Sequence, residues 1–320
     1  MNRSVTVVAH PNIALSKYWG KAAREGNFPA VPSLSVTLSG MSTRTSVRFH
    51  DAAADSITLG GAPMTAGLAK VKHLLDTVRM ASGIHAFATI DTVNDFPTGS
   101  GLASSASGFA ALALAAVRAA GLDWDAERVS GLARAASASA ARSLFGGFVE
   151  LPYGSEGARP CAPKDALPLR VLVCVATEEA KKVASTDGMT RTANESPYYA
   201  AWLDTAPRLH EALRAALLRG DFSEVGSLAE RSALAMHASA FAAGVVYVKG
   251  VTLEALEAVR ALRAKGIEAY ATMDAGPHVK VLVREQDVAR VREAMASVDG
   301  VLRVIDTAPG DGARVVAETA

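Results

Sequence analysis

The densest run of chemically useful groups is Pro97-Thr98-Gly99-Ser100-Gly101-Leu102-Ala103-Ser104-Ser105. Glycines let backbone N–H groups approach a bound anion closely, and a helix starting behind them turns its positive dipole end toward the loop. Ser104 and Ser105 add hydroxyls suited to phosphate oxygens or a magnesium ion. No lysine follows the last glycine, so this is not a Walker loop. A glycine-rich turn leading into a packed helix is the competing reading. A second cluster runs from His10 to Lys21 and gathers two lysines, a tyrosine and a tryptophan before the first acid, Glu25. Lys17 and Lys21 are four apart, so on a helical turn their ammonium groups would share a face and call for an anion between them. A solvated basic turn is the alternative there.

Arg142 stands alone among small residues in Ser137–Gly147. Its fork suits a carboxylate or phosphate, whether on a ligand or on an acid elsewhere in the chain. Asp274 precedes the Ala275-Gly276-Pro277 turn, where aspartates commonly cap; a catalytic part requires it to face Lys17 and Arg142. Ser185-Thr186-Asp187-Gly188-Met189 has the composition of a turn or N-cap. The seven histidines show no metal-ligand spacing, and His10, His237 and His278 read as hydrogen-bonded structural groups. No Gly-x-Ser-x-Gly elbow is present.

These groups need elements to hold them. Short β-branched runs at 5–8, 34–38, 45–49 and 56–59 read as strands, with Gly60-Gly61 as a hairpin turn. Residues 66–80 read as a helix, 85–92 as a strand, 102–120 as a tightly packed helix, 124–135 as a helix and 148–151 as a strand. Helical periodicity returns at 194–218, 222–236 and 253–264. Strand, turn, strand, helix and strand follow at 268–273, 278–283, 286–298 and 301–306. The residues from Pro309 on read as a closing strand or a loose tail. A domain boundary is expected between 170 and 184, giving an N-terminal lobe over 1–180 and an α+β C-terminal lobe over 181–320.

The 320 residues suit about two domains. Thirty-three Lys and Arg against 32 Asp and Glu leave a formal charge of +1, so no global field favours nucleic acid or an anionic membrane. Any acidic ligand must be held by locally placed cations. Cys161 and Cys174 make neither a disulfide framework nor a zinc site. The alternating run 4–9 does not read as a signal peptide, and no apolar stretch approaches the roughly 20 residues of a membrane span. A cytoplasmic enzyme or binding protein is expected.

Taken together, the segments resemble the diphosphomevalonate decarboxylase family of the GHMP kinase superfamily. The matching pieces are Asn12 to Lys21, Pro32 to Leu38, Asn94 to Phe109, Ala141 to Phe148, Val183 to Thr192, Met236 to Ala238 and Asp274 to Pro277. The glycine-serine loop indicates only the superfamily, whereas Lys17-Tyr18-Trp19-Gly20-Lys21 and Asp274-Ala275-Gly276-Pro277 are much more specific to the decarboxylase branch. The resemblance implies an α+β, two-lobed GHMP kinase fold, with an N-terminal lobe like ribosomal protein S5 domain 2 and a ferredoxin-like C-terminal lobe. It implies ATP with Mg2+ and, as substrate, mevalonate diphosphate, converted to isopentenyl diphosphate, carbon dioxide, ADP and phosphate. By the same resemblance, Asp274 lies beside the substrate's tertiary hydroxyl with Lys17 paired to it, and Arg142, helped by Ser139, holds the carboxylate. Tyr18, Lys21 and Ser185 bind the diphosphate. Pro97, Gly99, Ser100, Gly101, Leu102 and Ala103 embrace the nucleotide, and Ser104 and Ser105 reach its phosphates and magnesium. A homodimer is implied as well. Where the family usually has a basic-acidic pair and an Asn, this chain has Ala22-Ala23 and Val31, and His278 replaces an Asn. A phosphomevalonate decarboxylase, a mevalonate-type 3-kinase and a non-catalytic binding paralogue are the alternatives.

Overall fold

The structure, a computed structural model, describes residues 3–96, 104–179 and 182–319. Strand β1 (Ser4–Ala9) turns Val5, Val7 and Ala9 into a core. β2 (Asn12–Ser16) and β3 (Ser33–Thr37) are buried at every position. β4 (Thr43–His50) alternates buried and outward residues, as a strand with one wet face must. β5 (Ser56–Leu59) and β6 (Ala62–Pro63) meet at Gly60-Gly61, both at positive φ, as that tight turn requires. α1 (Leu68–Ser82) lies between two left-handed glycines, Gly67 and Gly83. β7 (Phe87–Asn94), α2 (Ser104–Ala119) and α3 (Ala126–Ala136) follow, the last capped by the Asp125 carboxylate on the Arg128 N–H. A 3-10 helix, Ala138–Leu144, leads into β8 (Phe148–Leu151) and β9 (Arg159–Ala162).

The C-terminal half contributes β10 (Leu169–Val175), α4 (Ser185–Glu195), α5 (Tyr199–Leu218), α6 (Phe222–Ala242) and α7 (Gly250–Ala264). The hairpin β11 (Ala269–Met273) and β12 (Val279–Arg284) comes next, then α8 (Val288–Ala296), β13 (Arg303–Thr307) and β14 (Arg314–Thr319). The first sheet runs β14-β1-β4-β7-β5-β6, and α1, α2 and α3 cover it through Val71, Leu75 and the alanines of α2. A second sheet, β2-β3-β8-β9, packs Ile13, Leu34, Val36 and Phe148 against α5, α6 and residues of the third sheet. That third sheet is β11-β12-β10-β13, backed by α7 and α8. The α+β architecture matches the expectation.

Several local expectations are corrected. β2 escapes an alternation test because every residue in it is buried. Residues 17–20 are irregular, and Lys21 bridges to Pro29, so Lys17 and Lys21 do not share a helical turn. Ser185 to Met189 is the first turn of α4, not a bare turn or cap. The periodic stretch 194–218 breaks at 196–198, between α4 and α5. β10 falls on the N-terminal side of the expected boundary yet pairs with β12 and β13, while β14 returns to pair with β1. Sheet membership therefore crosses the linear order at both ends of the second lobe. Among the described residues, no helix is long and apolar enough to cross a membrane.

Candidate active site

A cavity of about 320 Å³ opens where β2, the 3-10 helix, α4 and the β11–β12 turn converge. It gathers Asp274, Lys17, Arg142, Tyr18, Lys21, Ser139, Ser185 and Ser105, which stand far apart in the chain. Side chains of the C-terminal helices hold the backbone of the segment after β2. The Lys17 N–H donates to Ser232 Oγ at 2.9 Å, and Trp202 Nε1 donates to the Trp19 carbonyl at 2.8 Å. Gly20 sits at φ +104°, and a Cβ there would collide with the Tyr199 hydroxyl, so only glycine fits.

Asp274 follows the end of β11 in a turn closed by the Gly276 N–H on its carbonyl at 2.7 Å. Lys17 Nζ donates to Asp274 Oδ1 at 2.8 Å and to the Ala14 carbonyl at 2.7 Å. Lys280 Nζ, from β12, stands 3.1 Å from Oδ2. Both lysine side chains are almost wholly buried, whereas Asp274 keeps 31% of its side chain exposed. Burial pushes the Asp274 carboxyl up, but the two ammonium groups outweigh it and hold the group well below the usual carboxylate range. Burial lowers Lys17 to about 8 against the opposing pull of Asp274. Asp274 therefore faces the cavity as a carboxylate.

Arg142 is 2% exposed and is lowered to about 10 by burial. Ser33 and Ser35 are two apart on β3, so both hydroxyls point to one face. Arg142 Nη1 donates to Ser33 Oγ at 2.5 Å and Nε to Ser35 Oγ at 2.9 Å. Among the described residues Nη2 has no partner, which leaves one edge of the fork for a ligand. Asn12 ties β2 to the 3-10 helix through Ser139 O at 2.9 Å and Ser143 Oγ at 2.8 Å. Tyr18 is raised by burial and stays a neutral phenol. Burial and then the nearby Lys70 lower Lys21, so two lysines from different elements reach the same part of the cavity.

Lys280, Lys70, Asn12, Ser33 and Ser35 were not singled out from the sequence. Ser33 and Ser35 carried a usable signal, a hydroxyl at every second position of a buried strand. So did Lys280, a lysine inside an apolar alternation. Lys70 carried none, because a lysine in the first turn of a helix is ordinary. The histidines divide. His10 Nδ1 lies 2.8 Å from the Met41 carbonyl, and His278 Nδ1 accepts the Ala176 N–H at 3.1 Å. Among the described residues, the buried His237 has the Asp274 backbone beside it but no well-aligned hydrogen bond at either ring nitrogen.

A second, more apolar cavity of about 350 Å³ lies between α2, β5, β7 and the segment before α1. Ser104 and Ser105 line it, and Ser105 lines the first cavity too, so the two spaces adjoin at the start of α2. Residues Pro97, Gly99, Ser100, Gly101, Leu102 and Ala103 lie outside the described residues. Among the described residues, no cluster of three or more His, Cys, Asp or Glu side chains is placed to hold a metal ion. A divalent ion that arrives on phosphate oxygens and meets the Ser104 and Ser105 hydroxyls fits this donor set.

Two family models cover most of the chain. The "Diphosphomevalonate decarboxylase-like N-terminal domain" matches residues 9–162, and the "Mevalonate 5-diphosphate decarboxylase C-terminal domain" matches 171–312. The chain belongs to the diphosphomevalonate decarboxylase family. A diphosphomevalonate decarboxylase of Candida albicans is 31% identical, over 99% of this chain and 99% of the relative. A phosphomevalonate decarboxylase of Haloferax volcanii is 32% identical, over 91% of each. A solved structure described as MDDEF in complex with MVAPP, AMPPCP and magnesium superposes with a TM-score of 0.92 at 37% identity, covering 100% of both chains. Membership in the decarboxylase family accounts for the two-lobed GHMP-type fold.

Proposed function

We propose that this chain uses ATP and Mg2+ to convert mevalonate diphosphate into isopentenyl diphosphate, carbon dioxide, ADP and phosphate. The observation that carries the reading is the ion-paired Asp274 carboxylate facing the same cavity as the free edge of Arg142, beside an apolar cavity that adjoins it at Ser105. Such a pair of spaces suits an anionic acid in one and a nucleobase in the other.

A tertiary hydroxyl is a poor leaving group, and phosphorylation makes it a good one. Asp274 orients that hydroxyl and takes its proton late, as the phosphoryl group arrives, because a carboxylate held this acidic is a weak base. Lys17 neutralises the charge that gathers there. Arg142 Nη2 holds the substrate carboxylate, aided by Ser139, so that the bond to be broken is aligned while carbon dioxide leaves and the alkene forms. Tyr18, Lys21, Lys70 and Ser185, which line the same cavity, receive the diphosphate. Pro97, Gly99, Ser100, Gly101, Leu102 and Ala103 are assigned to the nucleotide from the sequence, and Ser104 and Ser105 would hold phosphate oxygens and magnesium. Magnesium held there would supply positive charge against that of the phosphate oxygens.

The relatives in the comparison include a Haloferax volcanii enzyme named for the monophosphate, which supports phosphomevalonate as a second reading of the substrate. The test is incubation with ATP, Mg2+ and each of mevalonate, its 5-phosphate and its 5-diphosphate, following ADP, phosphate and carbon dioxide. Release of all three products with the diphosphate is expected. Preference for the monophosphate changes the substrate assignment, and ADP without carbon dioxide makes the protein a 3-kinase. The same reading includes a homodimer working in the cytoplasm, which light scattering and cell fractionation would check.

A further inference from the structure

Lys280 makes no direct contribution to the lining of the cavity described above. Its strand shows why it is unusual. Val279, Val281 and Val283 turn to one face of β12 and pack into the core under α7 and α8. Leu282 turns to the other face and joins the core shared with the second sheet. Lys280 occupies the same face as Leu282, opposite Thr272 across the β11–β12 ladder, and only 3% of its side chain is exposed. An apolar residue there would continue the pattern. An ammonium at such a position carries a large desolvation cost unless a partner offsets it, and Asp274 is its ion-pair partner. With Lys17 on Oδ1 and Lys280 on Oδ2, both carboxylate oxygens are engaged from different elements.

We infer that Lys280 is a positioning residue for the reaction proposed above: by holding Oδ2 it fixes the rotation of Asp274 and keeps the carboxylate ionised and presented to the substrate hydroxyl. Lys17 alone does not do this. A single ammonium on one oxygen leaves the carboxylate free to rotate about its last bond, whereas a second contact on the other oxygen defines its plane. The hairpin supplies the rigidity, since Lys280 and Asp274 sit on either side of one tight turn. The groups facing Asp274 are Lys17 after β2, Lys280 on β12, Arg142 on the 3-10 helix and the neutral His237 on α6. Among the described residues, Lys17 and Lys280 are the two that form ion pairs with its carboxylate. This inference rests on the proposed reaction for its kinetic consequence but not for its electrostatic one.

The test uses Lys280→Met, which keeps length and apolar packing, together with Lys280→Arg, which restores the charge. Lys280→Met is expected to lower kcat by about 10- to 100-fold while KM for both substrates stays within about threefold, as a misplaced reacting group does. Lys280→Arg is expected to recover most of the loss. Carbon-13 NMR of aspartate-labelled protein, with Asp274→Asn to assign the signal, should show the Asp274 carboxyl titrating about 1–3 pH units higher in Lys280→Met. Unchanged kcat in Lys280→Met, or a loss equally large in Lys280→Arg, overturns the positioning role. A carboxyl that titrates at the same pH in both proteins, or in neither, overturns the electrostatic one. If the unaltered protein turns over none of the three acids, the proposed reaction falls, and the titration still decides what Lys280 does to Asp274.

Discussion

Replacing Asp274 with asparagine keeps the shape of the side chain and removes the negative charge that, among the described residues, faces Lys17, Lys280 and Arg142. A buried charge left without its partner typically costs about 3–5 kcal/mol. The share from Lys17 should be smaller, because burial already lowers Lys17 to about 8 even with Asp274 pulling it upward. Without that pull Lys17 falls lower and is neutral at pH 7. Shedding a proton from a group about one unit away from the working pH costs roughly 1–2 kcal/mol, which caps its share. A lysine whose folded value lies below its unfolded value adds stability as pH rises between the two. In the unaltered protein that rise begins near pH 8; in Asp274→Asn it begins lower. The stability gap should therefore narrow as pH climbs toward 8, by up to about 1.4 kcal/mol per unit, and stay constant beyond. Urea unfolding of both proteins at several pH values reads this gap directly. Turnover should fall by about 100- to 10,000-fold, with nucleotide affinity within a few-fold of normal. A gap that widens with pH, or does not depend on it, would refute the account of Lys17, and near-normal turnover would remove Asp274 from the chemistry.

Arg142→Lys keeps a charge but loses the fork held by Ser33 and Ser35. We expect kcat/KM for the acid substrate to drop by about 10- to 100-fold with KM for ATP little changed, and equal effects on both KM values would contradict the carboxylate assignment. His237 is lowered to about 4 by burial and by Lys17, so the folded chain resists its protonation. Its unfolded form takes up a proton first, so stability should fall as pH drops from about 6.5 to about 4, by up to roughly 3 kcal/mol. In His237→Leu that slope should flatten by the same amount; an unchanged slope in thermal melts would assign the pH sensitivity elsewhere.

Much of the site was legible because its parts are local. The Asp274-Ala275-Gly276-Pro277 turn, the lone Arg142 among small residues and the lysines after Asn12 stand out by residue type, although the four-residue spacing of Lys17 and Lys21 misleads. Gly60-Gly61 and the alternation of β4 are equally local, since a turn or a pleat is specified by a few adjacent residues. Other features had no local signature. β2 is buried on both faces and so shows no alternation, and Lys17 and Lys21 belong to an irregular segment whose shape is set by Ser232 and Trp202 of distant helices.

The sequence by itself determined which chemical groups this protein owns and most of the short elements that carry them. Tertiary structure decided their pairing: Lys17 with an aspartate 257 residues away, a pair the sequence offered only through the family resemblance, Arg142 with hydroxyls more than a hundred residues earlier, and β14 with β1 at the opposite end of the chain. The reason is physical. Propensity and periodicity act over a few residues, whereas a charge is stabilised in the interior only by whatever the packing of whole sheets and helices brings to it. Lys280 shows this most plainly, since only the pairing of β12 with β11 turns an out-of-pattern lysine into the second ammonium on Asp274.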